Sequence, residues 1–201
     1  MTDTPKIQTP ASIADARRVP LPRPGPGAPQ RRMAEMLRVD HAGEFAAVHI
    51  YRAQRAILGD RKGKDQITGD LTEMEGHEQV HLDRFNALLN EHKVRPTAMI
   101  PVWKIAATVL GAGTALISEK AAHACTEAVE SVIEEHYADQ IREISDRDPE
   151  LAAELTQFRE EELAHHDHAI ANGSREAPAY RLLSSVIKVG CKAAIKISER
   201  I

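Results

Sequence analysis

Four segments of this 201-residue chain each carry one glutamate in the middle of an otherwise mostly apolar helical stripe. Residues seven apart lie on almost the same face of an α-helix. In the first segment this step connects Leu37, Glu44, Tyr51 and Leu58. The other three stripes are centred on Glu78, Glu130 and Glu162. Ionised carboxylates are almost never buried unless they are paired or bound to a metal. The pattern therefore predicts an all-α protein whose core holds cations.

Two of these glutamates begin the motif Glu-x-x-His, and this sharpens the prediction. Residues three apart on a helix project from nearly the same face, so one carboxylate and one imidazole can bind the same metal ion. Each half of the chain has a lone glutamate on one helix and Glu-x-x-His on the next, which is the ligand pattern of a dinuclear carboxylate site in a four-helix bundle. The predicted metal ligands are Glu44, Glu78, His81, Glu130, Glu162 and His165.

Neighbouring residues are candidates for supporting or alternative roles. His136, Tyr137 and His41 could orient the ligands through hydrogen bonds, and His41, one turn before Glu44, would bond to that carboxylate. A plain core role fits Tyr137 equally well. If a helix register differs, the alternative ligands are Glu75 and Glu127. Several other histidines and glutamates near the motifs lie off the apolar stripes, and we expect them at the surface. They are His77, His166, His168, Glu134, Glu135, Glu160 and Glu161.

Turn signals divide the chain into helices. The sequence predicts them over about residues 30–58, 66–92, 118–144, 149–171 and 178–198. Asp148 is the expected N-cap before Pro149, and Gly59 and the Asn172-Gly173 pair are expected C-terminal stops.

The N-terminal region differs in composition from the rest of the chain. Residues 1–30 contain seven prolines and two glycines and predict a disordered or extended tail. This tail has no apolar core of the kind found in secretory signals. Residues 31–201 form the predicted single domain.

The apolar stretch at residues 96–117 is unusual for a soluble bundle, because Lys104 is its only charge. Three interpretations are open: binding at a membrane surface, a buried crossover helix, and a membrane span. Its length approaches that of a span, but Pro101, Lys104 and Gly111 weaken this interpretation. A lysine beside Trp103 favours surface binding. The basic, amphipathic final helix also suits an anionic membrane.

Composition limits the chemistry. A net charge of −4 gives no indication of nucleic-acid binding. Cys125 and Cys191 match neither a disulfide framework nor a zinc pattern. Four carboxylates and two imidazoles suit iron or manganese. Two ferrous ions would balance the charge of the four carboxylates. Because two ions would share only six protein ligands, coordination positions would stay open for dioxygen. The apolar crossover indicates a lipid as the substrate to be oxidised.

Several segments resemble the 5-demethoxyubiquinone hydroxylase family in unbroken order over residues 31–201. They are Arg38-Val-Asp-His-Ala-Gly-Glu44, Arg95-Pro-Thr, Leu110-Gly-Ala-Gly-Thr-Ala-Leu116, Ala124-Cys-Thr126, Glu161-Glu-Leu-Ala-His-His-Asp167 and Ala177-Pro-Ala-Tyr180. The resemblance implies a ferritin-like four-helix bundle with a long apolar crossover and an extra C-terminal amphipathic helix. It also implies a di-iron monooxygenase of ubiquinone biosynthesis, with two Fe ions on the six ligands predicted above.

The reaction so implied is hydroxylation of the ring of a 6-methoxy-3-methyl-2-polyprenyl-1,4-benzoquinol, with O2 as co-substrate. NADH is the implied electron donor, although the chain has no dinucleotide-binding fingerprint. The implied partners are the membrane surface and a lipid-binding protein of a biosynthetic complex. Independently of the resemblance, a second copy of the chain is a further candidate partner. The expected location is the cytoplasmic face of a bacterial cell membrane, with the matrix side of the mitochondrial inner membrane as the alternative.

Two other classes fit parts of the pattern. A ferritin-like peroxidase or catalase shares the ligand set but has no need of the apolar crossover or the basic final helix. A non-enzymatic helical scaffold could use the metal site for stability alone.

Overall fold

The computed structural model describes residues 29–59 and 61–201. The tail predicted for residues 1–30 lies outside the described residues, except for its last two positions, which begin the first helix. Within this part of the chain the structure is all-helical, and every predicted helix is present with bounds within two residues of those expected. The helices are α1 (Pro29–Leu58), α2 (Asp65–Glu91), α3 (Ile100–Ile117), α4 (Glu119–Ile144), α5 (Pro149–Ala171) and α6 (Tyr180–Ser198).

Four of these helices build the bundle, as two hairpins. Helix α1 packs along α2, and α4 packs along α5. At one end of the bundle all four helices contribute to a buried apolar cluster that includes Leu37, Phe85, Tyr137 and Leu155. A second cluster near the other end includes Tyr51, Leu71, Met74 and Ala122. The four stripe glutamates lie between the two clusters, and burial of the surrounding side chains stabilises this position by about 1.5–3 kcal/mol per large apolar residue.

The helix ends follow the local sequence signals. The Asp148 carboxylate accepts a hydrogen bond from the backbone N–H of Leu151 at 3.1 Å, which confirms the predicted cap of α5. Ser118 caps α4 in the same way, accepting from the N–H of Ala121 at 3.0 Å. Gly173 follows α5 with a φ of 82°, a conformation that glycine adopts without steric cost. These ends fix where the helices that carry the predicted ligands start and stop.

Helix α3 lies against α1 and exposes its opposite face. Gly111 makes the close contact possible, since a Cβ there would lie 2.4 Å from the carbonyl oxygen of Ile50. The outward face carries the exposed side chains Val102, Ile105, Val109, Leu116 and Ile117. By length and composition α3 could cross a membrane. Only 22% of the helix is buried within the chain, so the structure does not form the buried crossover considered above.

Helix α6 covers α4 beside α3. Ile187 is buried in a cluster with Ile50, Ala107 and Val129, whereas Leu182, Val186 and Val189 are exposed. The indole N–H of Trp103 in α3 donates to the hydroxyl of Ser198 at the end of α6 at 3.0 Å. Helices α3 and α6 thus form an outer layer over α1 and α4.

Candidate metal centre

All six predicted ligands meet in the middle of the bundle, and each has an exposed fraction of 5% or less. They form two groups, and within each group one potential ligand atom per residue lies within 4.8 Å of the others. Glu78 and Glu162 belong to both groups and can therefore bridge two ions. The first group is Glu44, Glu78, His81 and Glu162, and the second is Glu78, Glu130, Glu162 and His165.

Unpartnered polar atoms converge on this space. Within the described residues, eight buried atoms of the six side chains make no well-directed hydrogen bond. The two imidazoles nevertheless lie close to the carboxylates, with Nδ1 of His81 3.2 Å from Glu162 Oε1 and Nδ1 of His165 3.1 Å from Glu78 Oε1. A buried polar group without a partner costs about 1–3 kcal/mol, and more if it is charged. Cations coordinated by these atoms would remove that cost, so the donor set fits metal ions. The atoms are Glu44 Oε2, both oxygens of Glu78, Glu130 Oε2, both oxygens of Glu162, and Nδ1 of His81 and His165.

The negative charges of the clustered carboxylates also favour binding of positive charge. Burial, together with the nearby Glu162 carboxylate, raises the pKa of both Glu78 and Glu130 well above the usual range. Burial acts in the same direction on Glu162, but the adjacent imidazoles of His165 and His81 outweigh it and lower its pKa to about 2. Four ionised carboxylates are therefore not stable together in this core without cations or protons.

Two buried tyrosines bridge the hairpins and hold the lone glutamates. The hydroxyl of Tyr51 donates to Glu130, and that of Tyr137 donates to Glu44. Each tyrosine lies seven residues after the lone glutamate of its own helix but bonds to the glutamate of the other. The contact of Tyr137 fits the orienting role considered for it. Spacing along one helix places Tyr51 only on an apolar stripe and does not reveal its bond to α4.

The two histidines have partners on the outer side of the bundle. The Nε2–H of His81 donates to Glu161 Oε2 at 2.7 Å. Nε2 of His165 lies 3.1 Å from Nδ1 of His77, and their rings are nearly parallel with centroids 5.4 Å apart. These bonds direct both Nδ1 atoms at the glutamates. Glu161 and His77 are partly or fully exposed, as expected, but sequence analysis missed their contacts with the ligands.

His41 and His136 do not reach the predicted ligands. Nε2 of His41 pairs with Asn86 Oδ1 at 3.1 Å instead of with Glu44. Nε2 of His136 lies 2.8 Å from the amide of Gln140 and 3.3 Å from the carboxylate of the buried Asp40. His136 misses the ligands because of its position around the helix. It lies six residues after Glu130, about 100° away from the face that Tyr137 shares with Glu130.

The alternative ligands are engaged elsewhere. Glu75 pairs with Arg52 and Arg55. Glu127 is buried, yet it accepts hydrogen bonds from Ser174, Arg175 and Tyr180. The structure therefore brings neither of them into the cluster.

A cavity of about 370 Å³ lies beside the metal centre, between the bundle and its outer layer. Its wall includes Glu44 and Tyr137 at the centre, and Asp40 and His136 nearby. Most of the remaining lining is apolar and comes from α1, α3, α4 and α6. The volume is typical of a small-molecule site.

Comparison with known proteins shows which family the chain matches. Residues 31–198 match the family described as ubiquinone biosynthesis protein COQ7. The chain belongs to this COQ7 family. The resemblance inferred from the sequence motifs is thereby confirmed.

Named hydroxylases are similar to the chain over most of their length. A 3-demethoxyubiquinol 3-hydroxylase of Rhodospirillum rubrum is 47% identical over 178 residues, which cover 89% of this chain and 82% of that protein. The NADPH-dependent 3-demethoxyubiquinone 3-hydroxylase, mitochondrial, of Homo sapiens is 44% identical, with 83% and 76% covered. The 5-demethoxyubiquinone hydroxylase, mitochondrial, of Saccharomyces cerevisiae is 39% identical, with 83% and 77% covered.

Proposed function

We propose that this chain is an O2-dependent oxidoreductase that hydroxylates the ring of 5-demethoxyubiquinol, a 6-methoxy-3-methyl-2-polyprenyl-1,4-benzoquinol, in ubiquinone biosynthesis. The observation that carries the proposal is an apolar cavity whose wall includes Glu44, one residue of a buried carboxylate–histidine cluster. The relatives named above are hydroxylases of such a ubiquinone precursor, which supports the same substrate class for this chain.

The proposed cofactor is a pair of iron ions held by the six clustered side chains. Bound iron would supply the redox chemistry that activates dioxygen. The chain contributes carboxylates that balance the positive charge, with Glu78 and Glu162 shared between the two positions. Tyr51 and Tyr137 hold the two unshared glutamates by donating to them. The apolar clusters at both ends of the bundle keep bulk water away from the reacting atoms.

The cavity suits the ring of the proposed substrate. Its walls are mainly apolar, as the ring and the start of a prenyl tail require, and Tyr137 and Glu44 mark the end nearest the metal ligands. Asp40 and His136 offer hydrogen bonds to ring oxygens, and the Gln140 amide holds Asp40 by donating to it at 2.7 Å. A ring bound at this end would present the ring carbon to be hydroxylated to the proposed metal centre. The prenyl tail would then extend between α3 and α6.

The outer layer would bring the protein to the membrane that contains its lipid substrate. Helices α3 and α6 both expose large apolar side chains, including Ile105, Val109, Leu182 and Val189. Lys188, Lys192 and Lys196 of α6 would attract anionic headgroups. Because one face of α3 is packed on α1, we propose peripheral binding rather than a span. The proposed location is the cytoplasmic face of a bacterial cell membrane, and the alternative is the matrix side of the mitochondrial inner membrane.

A reduced nicotinamide dinucleotide is the proposed electron donor. The family resemblance implies NADH, whereas the human relative is named NADPH-dependent, so both donors belong in the assay. A lipid-binding partner protein stays a prediction from the same resemblance, and self-association stays a prediction.

One experiment tests the central proposal. Protein loaded anaerobically with Fe²⁺ is given a demethoxyubiquinol, NADH or NADPH, and ¹⁸O2, and the quinone product is analysed by mass spectrometry. We expect about two irons per chain and one ¹⁸O atom in the product. Peroxide consumption without a labelled quinone would favour the peroxidase or catalase alternative. A single zinc ion, or no metal, would contradict the dinuclear site.

A further inference from the structure

The two Glu-x-x-His motifs are preceded by unlike residues. His77 precedes Glu78 in α2, and Glu161 precedes Glu162 in α5. These two positions correspond to each other in the two hairpins, and each contacts the histidine of the opposite motif. His77 lies against His165, and Glu161 lies against His81.

The rest of the centre is nearly the same in both halves. Each half supplies one lone glutamate, one bridging glutamate and one histidine, and each lone glutamate accepts a hydrogen bond from a tyrosine of the other hairpin. The outer partners of the two histidines break this symmetry. One is a carboxylate and the other is an imidazole.

The difference matters because an outer partner acts on the metal through the ligand. A carboxylate that accepts the Nε2–H of an imidazole makes Nδ1 a stronger donor and adds negative charge close to the ion. Hydrogen bonds to an ionised group are roughly twice as strong as those between neutral groups. The 2.7 Å bond from His81 to Glu161 is of the stronger kind, and Gln157 supports it by donating to the other Glu161 oxygen at 3.1 Å. An imidazole partner such as His77 provides neither the charge nor the shorter bond.

We infer that the two metal positions have unequal affinities, and that Glu161 and His77 are the positioning residues that make them so. The His81 position binds a divalent ion more tightly and fills first. The His165 position binds more weakly and exchanges its ion first. This inference rests on the proposed dinuclear site, and it assigns an order of loading that the six ligands alone do not.

The test is a metal titration rather than an activity assay. Metal-free protein is titrated with Mn²⁺ in competition with a chelator, and crystals loaded with one equivalent are examined by anomalous diffraction. We expect two affinities at least about tenfold apart, with the first ion beside His81. Glu161→Gln should weaken the tighter position by about 10- to 100-fold and leave the other nearly unchanged. His77→Glu should strengthen the weaker position.

Matched variants separate these effects from general damage. Glu160→Gln changes an exposed glutamate next to Glu161, and His92→Gln changes an exposed histidine at the end of α2. Both should retain the wild-type affinities. Circular dichroism and thermal unfolding of every variant show whether the bundle is intact.

The outcomes are distinct. Equal affinities in the wild type, a first ion beside His165, or equal weakening of both positions by Glu161→Gln would overturn the inference while the dinuclear site stands. Failure of folded wild-type protein to bind two Mn²⁺ ions would instead count against the dinuclear site in the proposed function.

Discussion

The two sides of the bundle surround the proposed metal centre with different chemistry. On the covered side, α3 and α6 lie over α1 and α4, and the centre borders a mainly apolar cavity. On the open side, α2 and α5 are joined by polar contacts: Asp70 with His168, His77 with His165, His81 with Glu161, and Arg84 with Glu154. The covered side thus has the properties of a site for an apolar substrate. The open side has the properties of a scaffold that holds the ligands.

This difference shows how one bundle can separate substrate binding from ligand support. A change in the cavity should alter substrate affinity without altering metal content. A change among the proposed ligands should lower both metal content and activity.

Glu130→Ala should cause the largest loss, because it removes one proposed ligand of the second group and the acceptor of the Tyr51 hydrogen bond. We expect hydroxylation to fall about a thousandfold or more, with metal content reduced below that of the wild type. Product analysis and metal analysis of the same sample check this. Glu135→Gln, an exposed glutamate on the same helix, should retain activity and metal. Full activity in Glu130→Ala would remove this residue from the ligand set.

The membrane prediction compares apolar residues on the two sides. Changing Ile105 and Val189 to Asp removes two exposed apolar side chains of the outer layer. Each of these side chains contributes about 1.5 kcal/mol when it is buried. Losing both should weaken vesicle binding about a hundredfold. Sedimentation with vesicles containing anionic lipids measures this. Val80 is 64% exposed on α2, so Val80→Asp is the matched control and should bind normally. Equal losses in both proteins would mean that the covered side is not the membrane surface.

Gly190→Leu should narrow the cavity without touching the ligands. A Cβ at Gly190, which lines the cavity, would meet no atom within 4 Å, so the leucine can extend into the space. We expect KM for the quinol to rise about tenfold, equivalent to about 1.4 kcal/mol, with metal content unchanged. Ala193→Leu adds a similar side chain on the exposed face of α6 and should leave KM unaltered. An unchanged KM in Gly190→Leu would place the substrate elsewhere.

Gly111→Ala tests the attachment of the outer layer itself. The added methyl group would clash with the backbone of Ile50, so α3 must move away from α1. Overpacking of this kind costs about 1–3 kcal/mol, and thermal unfolding should show a lower Tm. At Gly113 a Cβ meets nothing within 4 Å. Gly113→Ala should therefore raise stability by about 0.5–1 kcal/mol through helix propensity. A lower Tm in both variants would point to a general effect on α3.

The sequence predicted the helices and the composition of the cluster because both follow from spacing along one chain. A glutamate in an apolar stripe identifies the buried face of its helix, as for Glu44 and Glu130. Asp148 and Pro149 predicted the start of α5 from local hydrogen bonding alone. The six proposed ligands converge in the structure, although their role as metal ligands stays a prediction.

Contacts between helices were harder to predict. Helical spacing does not show that Tyr51 crosses to Glu130, or that Glu161 lies against His81, because these bonds depend on how two helices are rotated and offset. His77 and Glu161 also lie one residue away from the ligand stripes, where an exposed position is the natural expectation. The cavity depends on the separation of α3 and α6 from the bundle, which no periodicity encodes.

The division of each proposed ligand group between the two hairpins has a consequence for the order of events during synthesis. The first hairpin leaves the ribosome with Glu44, Glu78 and His81, three members of the first ligand group, but Glu162 and Tyr137 belong to the second hairpin. Neither hairpin alone supplies all four members of either group. If the proposed assignment holds, stable metal binding follows docking of the two hairpins, and the N-terminal half alone would hold at most a loosely bound ion.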